Sequence, residues 1–128
     1  MALTQQDQTE LLQLLGLYTH KLDYDAVDDM GLIWTEDCLF IVDNPAIRIE
    51  SLAALKQMFY GTRKSHPHVR HVVTNPYIEQ SGGAVILHSY LQVFDTAEMK
   101  VMMFARYRDR CVKTAQGWRI AERHCISG

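Results

Sequence analysis

The chain has 128 residues, 48% of them apolar and 22% charged, with a net charge of −2. That is enough for one domain with a buried core and too little for two. The charge gives no electrostatic ground for nucleic-acid binding, and no run approaches the ~20 apolar residues of a membrane span.

In chain order, Thr4 and Asp7 form a capping pattern, with Asp in the place of the usual Glu or Gln. Leu11, Leu14, Leu15, Tyr18 and Leu22 then recur at helical spacing, which predicts an amphipathic helix over 4–22. LDYDAVDDMGLIW reads as a break and a second helix, with Asp25 as a candidate cap. Its buried side would be Val27, Met30, Ile33 and Trp34, and Gly31 weakens it by about 1 kcal/mol relative to Ala. CLFIVD is a short β-type run ending at Asn44-Pro45, with IRI as a returning strand. Ser51 is an N-cap for SLAALKQMFY, and Gly61 is placed as its C-terminal stop.

Three strands follow, near 69–80, 84–95 and 99–114, and WRIAERHC makes a fourth. Ser81-Gly82-Gly83 and Ala115-Gln116-Gly117 supply turns. Helices first and antiparallel strands after give an α+β class and a single domain over 1–128. A sheet curved around its helices would form a cone with an apolar interior and one open mouth, a natural small-molecule site.

The N-terminal MALTQQDQTE has neither the basic nor the apolar region of a signal peptide. Cys38, Cys111 and Cys125 are odd in number and far apart, against a disulfide scaffold or zinc site. The expected location is a reducing cytoplasm.

Chemistry concentrates in HPHVRHVVTNPY, which holds His66, His68 and His71. Extended backbone puts His66 and His68 on one face and His71 on the other. No HExxH, paired CxxC or 2-His-1-carboxylate spacing accompanies them, so no metal is expected. His66 and His68 read as polar residues in a loop before the strand. His71 lies within the strand, sharing a face with Val73, Asn75 and Tyr77. An imidazole there is a satisfied core histidine unless a carboxylate orients it and holds it basic. Among Asp23, Asp25, Asp28 and Asp29, only Asp23 follows directly on the apolar stripe of the first helix, and it is the one expected to face inward.

These patterns carry a resemblance. LxxYTHKLDYDAVDDMGLIWTEDCLF, VRHVVTNPYIE and ARYRDRCVKTAQGWRIAERH, with the order of elements, resemble the SnoaL-like branch of the nuclear transport factor 2-like superfamily, over nearly the whole chain. The branch includes scytalone dehydratase, hexachlorocyclohexane dehydrochlorinase and bile-acid 7α-dehydratase, which share an Asp–His pair inside a cone-shaped α+β barrel. The resemblance implies that Asp23 and His71 are that pair, and the spacing of Asp23, Asp37 and His71 fits the dehydrochlorinase without a gap. Scytalone dehydratase has Tyr immediately before its Asp, where this chain has Leu22, so its tyrosine-bound water is not carried over. Tyr24 follows instead and joins the substrate-binding candidates.

The others are Tyr18 and Trp34 as apolar wall, Tyr107 and Asp109 on one face of ARYRDRC, and His88, whose phase along its strand is open. Tyr107 reads equally as core packing or as a donor to an enolate oxygen. Arg106, Arg108 and Arg110 take the opposite face. Met99, Met102, Met103 and Phe104 read as core or subunit interface.

The implied activity is a cofactor-free lyase of the dehydratase type, or an isomerase, acting on a small, largely apolar cyclic or aromatic molecule. A ketosteroid-isomerase-like enzyme with a lone Asp base is one alternative. A non-catalytic binding or assembly subunit, like the small subunit of ring-hydroxylating dioxygenases, is the other. Relatives form dimers or trimers, and a homo-oligomer is expected.

Overall fold

The computed structural model describes residues 2–128. Helix α1 spans Gln5–Asp23 and opens with a complete capping box: Asp7 N–H donates to Thr4 Oγ1, and Thr4 N–H donates to Asp7 Oδ2. The shorter Asp carboxylate therefore serves as Glu would. The predicted stripe, Leu11, Leu14, Leu15, Tyr18 and Leu22, is buried throughout.

The expected second helix is a short 3₁₀ segment, Val27–Leu32. Ala26 occupies its N-cap and makes no side-chain cap bond, so Asp25 does not cap it. With Gly31 inside and only six residues, there is too little chain for α-helical turns to propagate. Its expected inward residues, Val27, Met30, Ile33 and Trp34, are nevertheless buried.

Strand β1 runs Trp34–Val42 and β2 runs Ile47–Ile49. Helix α2 covers Leu52–Ser65 with Ser51 Oγ accepting from Ala54 N–H. Gly61 does not stop it: it stays out of the left-handed region that a terminating glycine uses, and the helix continues to a cap at His66. The remaining strands are β3 (Val69–Ser81), β4 (Ala84–Asp95), β5 (Lys100–Thr114) and β6 (Gly117–Ser127). They form one six-stranded sheet in the order β2-β1-β6-β5-β4-β3, antiparallel except where β1 lies parallel to β6. The sheet curves around the helices, and the core fills the space between its concave face, α1, α2 and the 3₁₀ segment. Among the described residues, no helix is long and apolar enough to cross a membrane.

Two bulges re-phase strands near the core. In β3, Asn75 takes φ 54° and the register shifts between Thr74 and Tyr77. Asn tolerates this left-handed conformation better than most residues. His71 and Val73 precede the bulge; beyond it Ile78 packs on the core and Tyr77 is 59% exposed, so the expected common face of His71, Asn75 and Tyr77 does not form. In β6, Ala121 is the extra residue between the pairs Cys111–Ile120 and Arg110–Glu122. Trp118 and Ile120 face the core before it, Arg123 and Cys125 after it.

One polar network ties the start of α1 to the sheet. Asp7 is buried, and its Oδ1 accepts from Lys113 Nζ and Trp118 Nε1, both at 2.9 Å. The Thr4 backbone N–H, Lys113 and Trp118 together hold the Asp7 carboxyl well below the usual carboxylate range. A carboxylate depressed in the folded state stabilises it fully above the unfolded pKa, about 3.9, and that contribution is lost as pH falls toward the depressed value. Asp7→Asn is therefore expected to flatten the loss of melting temperature below about pH 4. Parallel acid-limb curves for wild type and variant would contradict it.

Candidate functional site

Asp23 is the last residue of α1, and His71 lies near the start of β3. Although 48 positions apart, they make two bonds: Asp23 Oδ2 accepts the His71 backbone N–H at 2.6 Å, and Asp23 Oδ1 faces His71 Nδ1 at 2.8 Å. Both side chains are largely buried, 5% and 13% exposed. A carboxylate only accepts, so Nδ1 carries the proton of this bond, and in the neutral imidazole Nε2 is the nitrogen with the lone pair.

His71 forms part of the wall of a cavity of about 380 Å³ inside the cone. Tyr18 and Leu22 of α1, Phe59 and Thr62 of α2, Phe40 of β1, Leu91 of β4, Tyr107 of β5 and Cys125 of β6 join it there. Asp23 stands behind His71, outside this cavity. The walls are mainly apolar with a few polar atoms, the usual composition of a small-molecule site, and the volume suits a compact ring compound.

The Tyr18 and Tyr107 hydroxyls are 3.4 Å apart in this wall. Burial raises the pKa of both, that of Tyr107 strongly, and the positive charge of Arg123 offsets this only in part. Both therefore remain neutral hydroxyls. One can donate to the other, leaving a second O–H for a ligand oxygen.

Behind them sits a charged pair the sequence reading missed. Arg123 and Asp109 are both 0% exposed, and Arg123 Nε and Nη2 donate to the two Asp109 oxygens at 2.7 and 2.9 Å. The guanidinium carbon lies 3.7 Å from the Tyr107 ring centre and 4.4 Å from that of Tyr18. Burial by itself would favour deprotonation of Arg123, but the Asp109 charge and hydrogen bonds outweigh it, and the pKa is raised above the ordinary value. The signal was present in Asp109: an acid on the inward phase of a strand needs a cation opposite. Simple alternation puts Arg123 outward, and the Ala121 bulge turns it in.

Other expected pocket residues lie elsewhere. Asp109 is inward as predicted but is consumed by Arg123 and does not line the cavity. Trp34 is buried one layer back, its ring 5.1 Å from the Arg123 guanidinium carbon. Tyr24, the C-cap of α1, is 62% exposed outside the cone, beneath Arg70. His88 faces away from the cone, bonded to Glu79 at 2.7 Å and stacked on Tyr77 at 4.3 Å. Of the three clustered histidines, His68 is exposed and its carbonyl receives Thr96, while His66 reaches the cavity mouth as the C-cap of α2. Both lie in the connection between α2 and β3, as expected; the run of α2 beyond Gly61 is what brings His66 to the cavity. Among the described residues, no three His, Cys, Asp or Glu side chains are grouped to hold a metal ion.

A curved, mostly antiparallel sheet wrapped on helices around an apolar internal cavity defines the class: a cone-shaped α+β barrel of the nuclear transport factor 2-like kind. Within that class the chain belongs to the SnoaL-like domain family, whose model matches residues 4–124. No curated protein matches it. Among solved structures, a Nostoc punctiforme protein of unknown function with a cystatin-like fold is similar at TM-score 0.86 and 21% identity, covering 100% of this chain and 96% of its own. A Novosphingobium aromaticivorans β subunit, provisionally assigned to an aromatic-ring-hydroxylating dioxygenase, aligns at TM-score 0.77 and 23% identity over 96% and 90% of the two chains. A protein of the same organism provisionally assigned as a scytalone dehydratase aligns at TM-score 0.77 and 15% identity over 94% and 83%. At such identities the likeness is one of fold.

Proposed function

We propose that the chain is a cofactor-independent lyase of the dehydratase type, or an isomerase, acting on a small, largely apolar cyclic or aromatic substrate. The observation that carries this reading is the 2.8 Å contact of Asp23 with His71 Nδ1 at the wall of an apolar cavity. His71 Nε2 takes a proton from a carbon beside a carbonyl. The electrons of that C–H bond move toward the carbonyl oxygen, which accepts a hydrogen bond from Tyr18 or Tyr107. In elimination the electrons return to form the double bond and expel a hydroxyl, which leaves as water with the proton from the imidazolium. In isomerisation that proton is delivered to a different carbon instead. Asp23 stabilises the imidazolium in both.

A lone-Asp base suits the geometry less well, since His71 engages both Asp23 oxygens. A purely structural role would not require an open cavity at His71. A reducing cytoplasm and a homo-oligomer, dimer or trimer, belong to the same proposal. The three cysteines are free and buried, and the convex sheet face exposes Tyr90, Met102 and Phe104.

The test is a screen of hydroxylated cyclic ketones against wild type and His71→Ala, followed by the absorbance of a newly conjugated double bond. Conversion by wild type alone is expected. Equal conversion by both proteins, or by neither, counts against the reading.

A further inference from the structure

A second cavity, of about 260 Å³, adjoins the cone: Leu22, Thr62, His66 and His71 line both. Its wall carries Arg63 from the last turn of α2 and Arg70 from the start of β3. Both guanidiniums gather at Tyr24. Arg63 donates to the Asp25 and Tyr24 carbonyls at 2.7 and 3.4 Å, and the Arg70 guanidinium carbon lies 4.6 Å from the Tyr24 ring centre. Arg70 Nη1 donates to the carbonyls of Pro67 and Val69.

The hydrogen-bond acceptors of both guanidiniums are thus uncharged, and among the described residues neither forms an ion pair with a carboxylate. Arg70 Nε is also buried with no hydrogen-bond partner. The carboxylate in the same wall, Asp23, has both oxygens engaged by His71. Two half-buried cations in one recess, with donors to spare and no anion of their own, make a site for an external anion.

We infer that this vestibule binds the carboxylate of a substrate whose apolar ring occupies the cone, so that the substrate class is a cyclic or aromatic carboxylic acid. This rests on the reading of the cone as the substrate cavity. Each arginine already spends N–H groups on carbonyls, and what remains suits a small two-oxygen acceptor. The shared wall at Thr62, His66 and His71 lets one molecule reach from the arginines to His71.

The test compares 2-naphthylacetic acid with its neutral isostere 2-naphthylacetamide by titration calorimetry. Wild type is expected to bind the acid about tenfold more tightly, the size of one charge-assisted hydrogen bond. Arg63→Gln and Arg70→Gln should each remove most of that preference, weakening the acid far more than the amide. Raising salt to about 0.5 M should weaken only the acid. Arg70 also pins the turn before β3, so Arg63→Gln, whose side chain bonds only to carbonyls of the α1 exit, keeps the test valid if the other variant fails to fold. His71→Ala should retain the preference for the acid, which separates this inference from the fate of the proton-transfer reading. Equal affinity for acid and amide, a preference that survives in Arg63→Gln, or no binding of either probe at millimolar concentration would overturn it.

Discussion

His71→Ala is expected to lower kcat/KM by about 10²–10⁴-fold, the usual range for removing a positioned general base. The argument is geometric. Nδ1 is committed to Asp23, so Nε2 is the basic atom, and His71 lines the cavity where a substrate carbon would sit. The protein should remain folded, because alanine keeps the backbone N–H that donates to Asp23 Oδ2. What is lost is one hydrogen bond to a largely buried carboxylate, about 1–3 kcal/mol, against a typical stability of about 5–15 kcal/mol.

Asp23→Asn tests the same pair from the other side. An amide offers one acceptor oxygen where the carboxylate offers two, so one of the two His71 N–H groups loses its partner and the imidazolium loses its counter-charge. A fall in kcat approaching that of His71→Ala, with KM little changed, is expected, since an orienting group acts in the transition state. Should His71→Ala keep most activity while Asp23→Asn abolishes it, Asp23 would be the base and the assignment would reverse.

Much of the fold was legible because the signals were local. The α1 stripe, the Ser51 cap and the Gly82-Gly83 turn each depend on residues close in sequence, and each stands as expected. The inward phase of His71 was legible for the same reason, whereas Asp23, one residue past the apolar stripe, meets His71 from outside the cavity. What was not legible depends on departures from period. Asn75 shifts β3 by one residue and takes Tyr77 out to solvent. Ala121 does the same in β6 and brings Arg123 in. A bulge inserts one residue, and one residue exchanges the faces of a strand, so a reading by alternation is reversed beyond it. Gly61 misled differently. Its propensity cost of about 1 kcal/mol is small, and beyond it Thr62 bonds back to the Met58 carbonyl and Arg63 to the Asp25 and Tyr24 carbonyls, which hold the last turn of α2 in place.

The inward turn of Arg123 has the largest expected consequence for stability. Arg123→Met is expected to cost about 3–5 kcal/mol, because it leaves the Asp109 carboxylate buried at 0% exposure without its counter-charge. The reverse substitution, Asp109→Leu, should cost a similar amount by leaving the guanidinium unpaired among the rings of Tyr18, Trp34 and Tyr107. In a chain of this size either change should lower the melting temperature by about 10–20 °C. The double variant should recover a large share of the loss, because apolar side chains of similar volume owe no desolvation energy. Chemical denaturation of all four proteins closes the cycle and yields the coupling energy directly. Additive losses in the double variant would mean that the two charges are not held together in solution. The polar support beneath the Tyr18 and Tyr107 hydroxyls would then have to be redrawn.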